Sequence, residues 1–178
     1  MTQEPIRVLL ADDHAILRQG LRRILDDEGD MEVVGEAATG SEAVKLASEM
    51  EPDVVVLDIS MPDQNGIEST RQISAACSSR VLVLSVHDER QIIANAVTAG
   101  AAGYLLKDSL DNELINAIRT VRQGRAVFSA AVTRTLASPE AAPANENRSI
   151  TSSRRAKRKF SSCSSTASHR PGLPKSCS

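Results

Sequence analysis

At 178 residues the chain has room for one domain with a sizeable core and a little more, and its formal net charge is −2. Three cysteines (Cys77, Cys163, Cys177) at unrelated spacings exclude a disulfide framework and a thiolate metal knot, and point to a reducing cytoplasm; no apolar run approaches the roughly 18 residues of a membrane span, and Met1 to Pro5 lacks signal-peptide anatomy. The charge is divided unevenly: the first 148 residues hold all 23 acids for a net −9, whereas residues 149–178 hold seven Lys or Arg, no acid and ten serines.

In chain order, Ile6 to Ala11 reads as a strand that runs out onto Asp12-Asp13. Ala15 to Leu25 places Ile16, Leu17, Leu21, Ile24 and Leu25 on one face of a helix. Met31 to Ala37 is a second strand, and Gly40 opens a helix running to about Met50 before Glu51-Pro52 breaks the pattern. Val54-Val55-Val56-Leu57 then gives four apolar residues in a row, three of them β-branched, as expected of a strand buried on both faces. It stops on Asp58, and Met61 to Gly66 follows as a turn-rich loop. Ile67 to Ala76 is helical. Arg80 to Ser85 is a fourth buried strand, ending on a hydroxyl, and Glu89 to Ala99 is a helix with Gly100 as its stop. Ala102 to Lys107 is a fifth strand, ending on a lysine. Ser109 caps a helix continuing to about Gln123, with Asp111 and Glu113 in its first turn. Beyond Phe128 the pattern fades; Val132 to Leu136 has the spacing of one more helical turn, and Ala137 to Pro143 reads as a linker.

Five β–α units in strict alternation specify an α/β fold: a five-stranded parallel, doubly wound sheet with helices on both faces. The ends of its strands bring Asp12, Asp13, Asp58, Ser85 and Lys107 to one edge, where such folds place their sites. A lone strand-end aspartate most simply caps the next helix, but Asp58 is one of a set. Three carboxylates converging there repel one another. A hard divalent cation relieves that, and Mg²⁺ suits a site that keeps waters and awaits a phosphate. With the cation and Lys107 beside it, Asp58 can attack a phosphoryl group, and Ser85 can hydrogen-bond the group once transferred.

Asp12-Asp13, Asp58 with Met61-Pro62 and Gly66, Ser85, and Gly103-Tyr104-Leu105-Leu106-Lys107 together resemble the receiver domain of two-component response regulators. Val83 to Asp88 and Ala99 to Asp108 are similar to the NarL/FixJ-type subfamily. The resemblance covers about residues 5–125. It implies a phosphoacceptor rather than an enzyme, with at most slow self-dephosphorylation, in which Asp58 takes its phosphoryl group from a sensor histidine kinase. It assigns Mg²⁺ to Asp13, Asp58 and the main-chain carbonyl of Ser60, with Asp12 acting through water. Lys107 becomes the phosphoryl partner, and Ser85 and Tyr104 a switch pair: the serine hydroxyl drawn toward the phosphoryl vacates space that Tyr104 fills, biasing a two-state face. Asp108 stands where many receivers have proline. A Mg²⁺-dependent phosphohydrolase of the haloacid-dehalogenase type is the competing enzyme, but it wants a second aspartate two residues after the first, and Ser60 occupies that place.

Relatives of this subfamily carry a C-terminal LuxR-type helix-turn-helix. After a helical extension and linker over 126–148, residues 149–178 form a basic, Ser-rich tail whose large apolar residues are Ile150, Phe160 and Leu173, too few for a folded domain. Arg154 to Lys159 can meet phosphates non-specifically, but no recognition helix follows, so specific operator binding is not expected. The remaining roles are a phosphate sink or a homodimer or heterodimer partner. Read one frame over, codons compatible with Ala156 to Phe160 yield Arg-Glu-Ala-Glu-Val, those of Ser161 to Ser164 yield Leu-Gln-Leu-Leu, and those of Ala167 to His169 yield Gly-Leu-Ser. This resembles the opening of a LuxR-type domain, so the tail is expected to be the out-of-frame product of one insertion or deletion before about residue 152.

Overall fold

The computed structural model describes residues 4–137. Six strands, β1 (Ile6–Ala11), β2 (Met31–Ala37), β3 (Val54–Asp58), β4 (Arg80–Ser85), β5 (Gly103–Leu106) and β6 (Val127–Phe128), alternate with helices α1 (Ala15–Asp26), α2 (Gly40–Met50), α3 (Gly66–Ala76), α4 (Arg90–Thr98), α5 (Leu110–Arg122) and α6 (Ala130–Ala137). The strands form one parallel sheet in the order β2-β1-β3-β4-β5-β6. The chain steps one way from β1 to β2 and the other way from β3 onward, and this switch between β1 and β3 gives the doubly wound topology that the alternation predicts.

The period-two rule explains the two cores. Val8, Leu10, Val54, Val56, Leu82 and Leu84 point to one face and pack with Leu21, Leu25, Leu114, Ile118 and Val121 of α1 and α5. Leu9, Val55, Leu57, Val81, Val83 and Tyr104 point to the other, under Ala43, Ala47, Ile73, Ile93, Ala96 and Val132 of α2, α3, α4 and α6. Every residue of β3 is buried, and each such valine or leucine stabilises the fold by about 1.5–3 kcal/mol. Helix ends follow local chemistry: the Thr39 hydroxyl caps α2 by accepting from Glu42 N–H, Asn65 caps α3 by accepting from Ile67 N–H, and Gly100, at φ +103°, ends α4.

Two expectations need correction. The sheet has six strands, not five; β6 adds two half-buried residues beside Gly103 and Tyr104 of β5, too short a segment to carry any periodicity. On α1, Leu21 and Leu25 are buried but Ile16 is 88% and Ile24 38% exposed. At about 100° per residue Ile16 lies roughly 140° around the helix from Leu21, so it cannot share the buried stripe. β6 and α6, within the stretch read as extension and linker, pack on the sheet and on α4, with Val132 fully buried. The side chains of residues 109–112, including the Ser109 cap, and the whole of 138–178, including the basic tail, lie outside the described residues. Among the described residues no helix is long and apolar enough to cross a membrane.

Candidate functional site

Because β1, β3, β4 and β5 are consecutive in the sheet, their C-terminal ends stand side by side. Asp12 follows β1 and is 2% exposed; Asp58 closes β3 and is 1% exposed. Lys107 follows β5 and bridges them, its Nζ donating to Asp12 Oδ2 at 2.8 Å and to Asp58 Oδ2 at 2.7 Å. Burial alone would draw this ammonium toward neutrality, but the bonds to Asp12 and Asp58 outweigh it and hold its pKa above the ordinary value. The other oxygens are held by main chain: Asp58 Oδ1 accepts from Ser60 N–H at 3.0 Å, and Asp12 Oδ1 from His14 N–H at 2.8 Å. Asp13 sits at the mouth. Ligand atoms of Asp12, Asp13, His14 and Asp58 all lie within 4.8 Å of one another.

Three local features set this geometry. The loop after β3 folds back on itself: Gly66 N–H donates to the Ile59 carbonyl at 3.2 Å, and a Cβ at Gly66 would lie 2.4 Å from the Asp58 carbonyl oxygen and 2.5 Å from Ile59 Cα. Glycine is required there by contact, not by φ. The same loop is pinned at Asp63, whose carboxylate accepts from Gly40 N–H at 2.9 Å and from Ser41 at the start of α2. The Ser41 hydroxyl and the backbone N–H groups hold that carboxyl well below its ordinary range. Finally, Arg18 of α1 donates to the Asp12 main-chain carbonyl and to Glu36 Oε2 at 3.0 Å, tying the loop after β1 to β2.

Ser85 and Tyr104 face the loop after β4. Ser85 Oγ accepts from His87 N–H at 2.9 Å, and the Tyr104 hydroxyl donates to the His87 carbonyl at 2.8 Å. Tyr104 is fully buried, and burial raises its phenol pKa, partly offset by the nearby Ser85 hydroxyl. Among the described residues no hydrogen bond joins Ser85 to Asp58 or Lys107.

The structure thus brings Asp12, Asp13, Asp58 and Lys107 into one pocket, sets Ser60 against Asp58 through its N–H, and ties Ser85 and Tyr104 each to the main chain of His87. Sequence reasoning passed over His14, Arg18 and Asp63. A signal existed for two of them: His14 directly follows the acid pair, and Arg18, four residues on, falls on the same side of the first helical turn. Nothing local marked Asp63, whose partners lie 22 and 23 residues away.

The "Response regulator receiver domain" family matches residues 8–119. The chain is 41% identical over 129 residues to the uncharacterized transcriptional regulatory protein YxjL of Bacillus subtilis, covering 72% of this chain and 59% of that protein. It is 40% identical over 139 residues to the response regulator UvrY of Escherichia coli, covering 78% and 64% respectively. Its fold matches the signal receiver domain of the putative response regulator NarL from Mycobacterium tuberculosis with a TM-score of 0.67, at 40% identity over 69% of this chain and all of that one. The match thus spans about six-tenths of the length of these curated relatives.

Proposed function

The chain belongs to the response regulator receiver domain family, as the receiver of a two-component regulator related to the LuxR/NarL-type proteins, and on that premise we propose that Asp58 is its phosphoacceptor. Receiver domains are signalling phosphoacceptors that partner with histidine kinases. What carries the assignment is the pairing of a fully buried, strand-end carboxylate with Lys107 at 2.7 Å and two further carboxylates within the same pocket. In the transfer, an Asp58 carboxylate oxygen forms a bond to phosphorus as the bond from phosphorus to the donor histidine nitrogen breaks. The electron pair leaves with the imidazole, and the product is an acyl phosphate.

Receiver domains bind Mg²⁺ through acidic residues, and the donor set here fits. Asp13 Oδ1 is buried and accepts no hydrogen bond among the described residues, which leaves it free for a cation. In our reading Asp13, Asp58 and the Ser60 main-chain carbonyl hold the ion, with Asp12 acting through water. Bound there, Mg²⁺ would supply charge neutralisation for the incoming phosphoryl group. Lys107, bonded to Asp58 Oδ2 at 2.7 Å, orients that carboxylate and adds a second positive charge. Ser85 receives a phosphoryl oxygen by turning from His87 N–H, and Tyr104, already packed beneath the loop after β4, reports that movement to α4.

Incubation of the full chain with acetyl phosphate and Mg²⁺ tests the assignment. An acid-stable, base-labile adduct should form stoichiometrically and be absent in Asp58→Asn. An adduct that persists in that variant overturns it, and sustained turnover of a phosphate ester would favour a phosphohydrolase instead.

For output, the family context is transcriptional, since YxjL is named a transcriptional regulatory protein. The composition of residues 149–178, with seven basic residues, no acid and ten serines, supports the reading that this stretch does not itself read specific DNA, and the receiver would serve as a phosphate sink or a dimer partner. The coding DNA decides how this arose. Translation of the alternative frame from about codon 150 should reveal a LuxR-type helix-turn-helix; a shifted frame without one removes the insertion-or-deletion explanation.

A further inference from the structure

We propose that His14 supplies a nitrogen ligand, through Nδ1, to the divalent-cation site of Asp12, Asp13 and Asp58, so that the site holds a first-row transition ion such as Co²⁺ or Zn²⁺ more tightly than Mg²⁺. The proposal rests on the reading of this acidic pocket as a cation site. Its starting point is an irregular contact. His14 Nδ1 approaches Asp13 Oδ1 to 2.9 Å and Asp12 Oδ1 to 3.3 Å, yet Asp13 Oδ1, buried as it is, makes no hydrogen bond. A ring nitrogen and a carboxylate oxygen at that separation, without a proton aligned between them, have the relation of two ligands facing a shared ion. Adjacent ligands of an octahedral ion at about 2.1 Å stand about 3.0 Å apart, close to the 2.9 Å between His14 Nδ1 and Asp13 Oδ1.

The surroundings leave these atoms available. Lys107 takes Oδ2 of both Asp12 and Asp58, which turns Oδ1 of Asp12 toward His14. The His14 main-chain N–H is tied to that same Asp12 Oδ1 at 2.8 Å, so the ring springs from a fixed backbone at the edge of the site. The side chain is 67% exposed, leaving it free to settle onto an entering ion. The Asp12 carbonyl, held by Arg18, steadies the same segment from below. A nitrogen donor changes the preference of the site because Mg²⁺ favours oxygen ligands and keeps its waters, whereas imidazole suits Co²⁺, Ni²⁺ and Zn²⁺. Mg²⁺ gains nothing from His14; a transition ion does.

Calorimetric titration of the chelator-treated full chain with Mg²⁺, and separately with Co²⁺, tests this. The wild type should bind Co²⁺ more tightly than Mg²⁺. His14→Gln should lose Co²⁺ affinity by at least the roughly 10–100-fold that follows from disturbing a ligand's own supports, with its Mg²⁺ affinity nearly unchanged. Nitrogen-15 spectra of the Zn²⁺-loaded chain should show the His14 Nδ1 resonance displaced, assigned by its disappearance in the same variant. Unchanged Co²⁺ affinity in His14→Gln, or equal losses for both ions, overturns the proposal while leaving the cation site itself standing. Failure of the wild type to bind Mg²⁺ at all overturns the underlying reading as well, and Asp13→Ala, expected to weaken both ions, checks that reading separately.

Discussion

Gly66→Ala should destabilise the protein by about 3 kcal/mol, at the upper end of what overpacking costs, lowering the melting temperature by about 10 °C for a domain of this size. The cause is a collision with main chain. The new methyl would stand 2.4 Å from the Asp58 carbonyl oxygen and 2.5 Å from Ile59 Cα, and neither atom belongs to a flexible side chain that can swing away. Relief must come from moving the end of β3 or the start of α3, which displaces the Asp58 carboxylate and should also lower the yield of phosphoryl adduct. Gly20→Ala is the matched control. It lies inside α1 with nothing within 4 Å of its Cβ position, so it should stabilise by about 0.5–1 kcal/mol through helix propensity alone. Thermal melts of both variants separate the effects; a Gly66→Ala protein that melts with the wild type would disprove the close approach.

Lys107→Met should cost about 3–5 kcal/mol when divalent ions are chelated, because it leaves Asp12 and Asp58 buried without the charge that faces them. Methionine keeps most of the apolar stem, so the loss reports the missing ammonium. Added Mg²⁺ should then recover more stability in the variant than in the wild type, since the cation takes over a role that Lys107 otherwise fills. The pH dependence has a definite sign. Asp12 and Asp58 hold the Lys107 pKa above its ordinary 10.5, so its contribution is fully present below that value and disappears as pH rises through the higher folded value. The variant should lack this alkaline loss. Urea unfolding at neutral and strongly alkaline pH, each with chelator and with Mg²⁺, would show it; equal stability of the two proteins in chelator would refute the bridging role.

How much was legible in the sequence depended on whether the signal was local. The unbroken run Val54-Val55-Val56-Leu57 announced a central strand because burial on both faces removes the polar alternation, and every residue of it is buried. Asp12, Asp58 and Lys107 were legible as a group because strand ends in a parallel sheet share an edge, so topology alone assembles them. Helix faces were less secure. Ile16 and Leu21 are equally apolar, and only their angular positions against a particular sheet surface separate the 88% exposed residue from the buried one. β6 was invisible since two residues cannot express a period. Asp63 was missed for a different reason: its function as a cap on α2 is created by the fold, across 23 residues, and leaves no trace in its neighbours.

The bridge from Lys107 spans 95 residues to Asp12 and 49 to Asp58, and this carries a consequence for how the protein comes into being. A ribosome elongating at about 5–20 residues per second takes about 2–10 seconds to travel from Asp58 to Lys107. Throughout that interval the nascent chain holds its acidic groups without their native counter-charge. The counter-charge for Asp12 and Asp58 therefore arrives late in synthesis, only when β5 and the lysine that follows it have emerged.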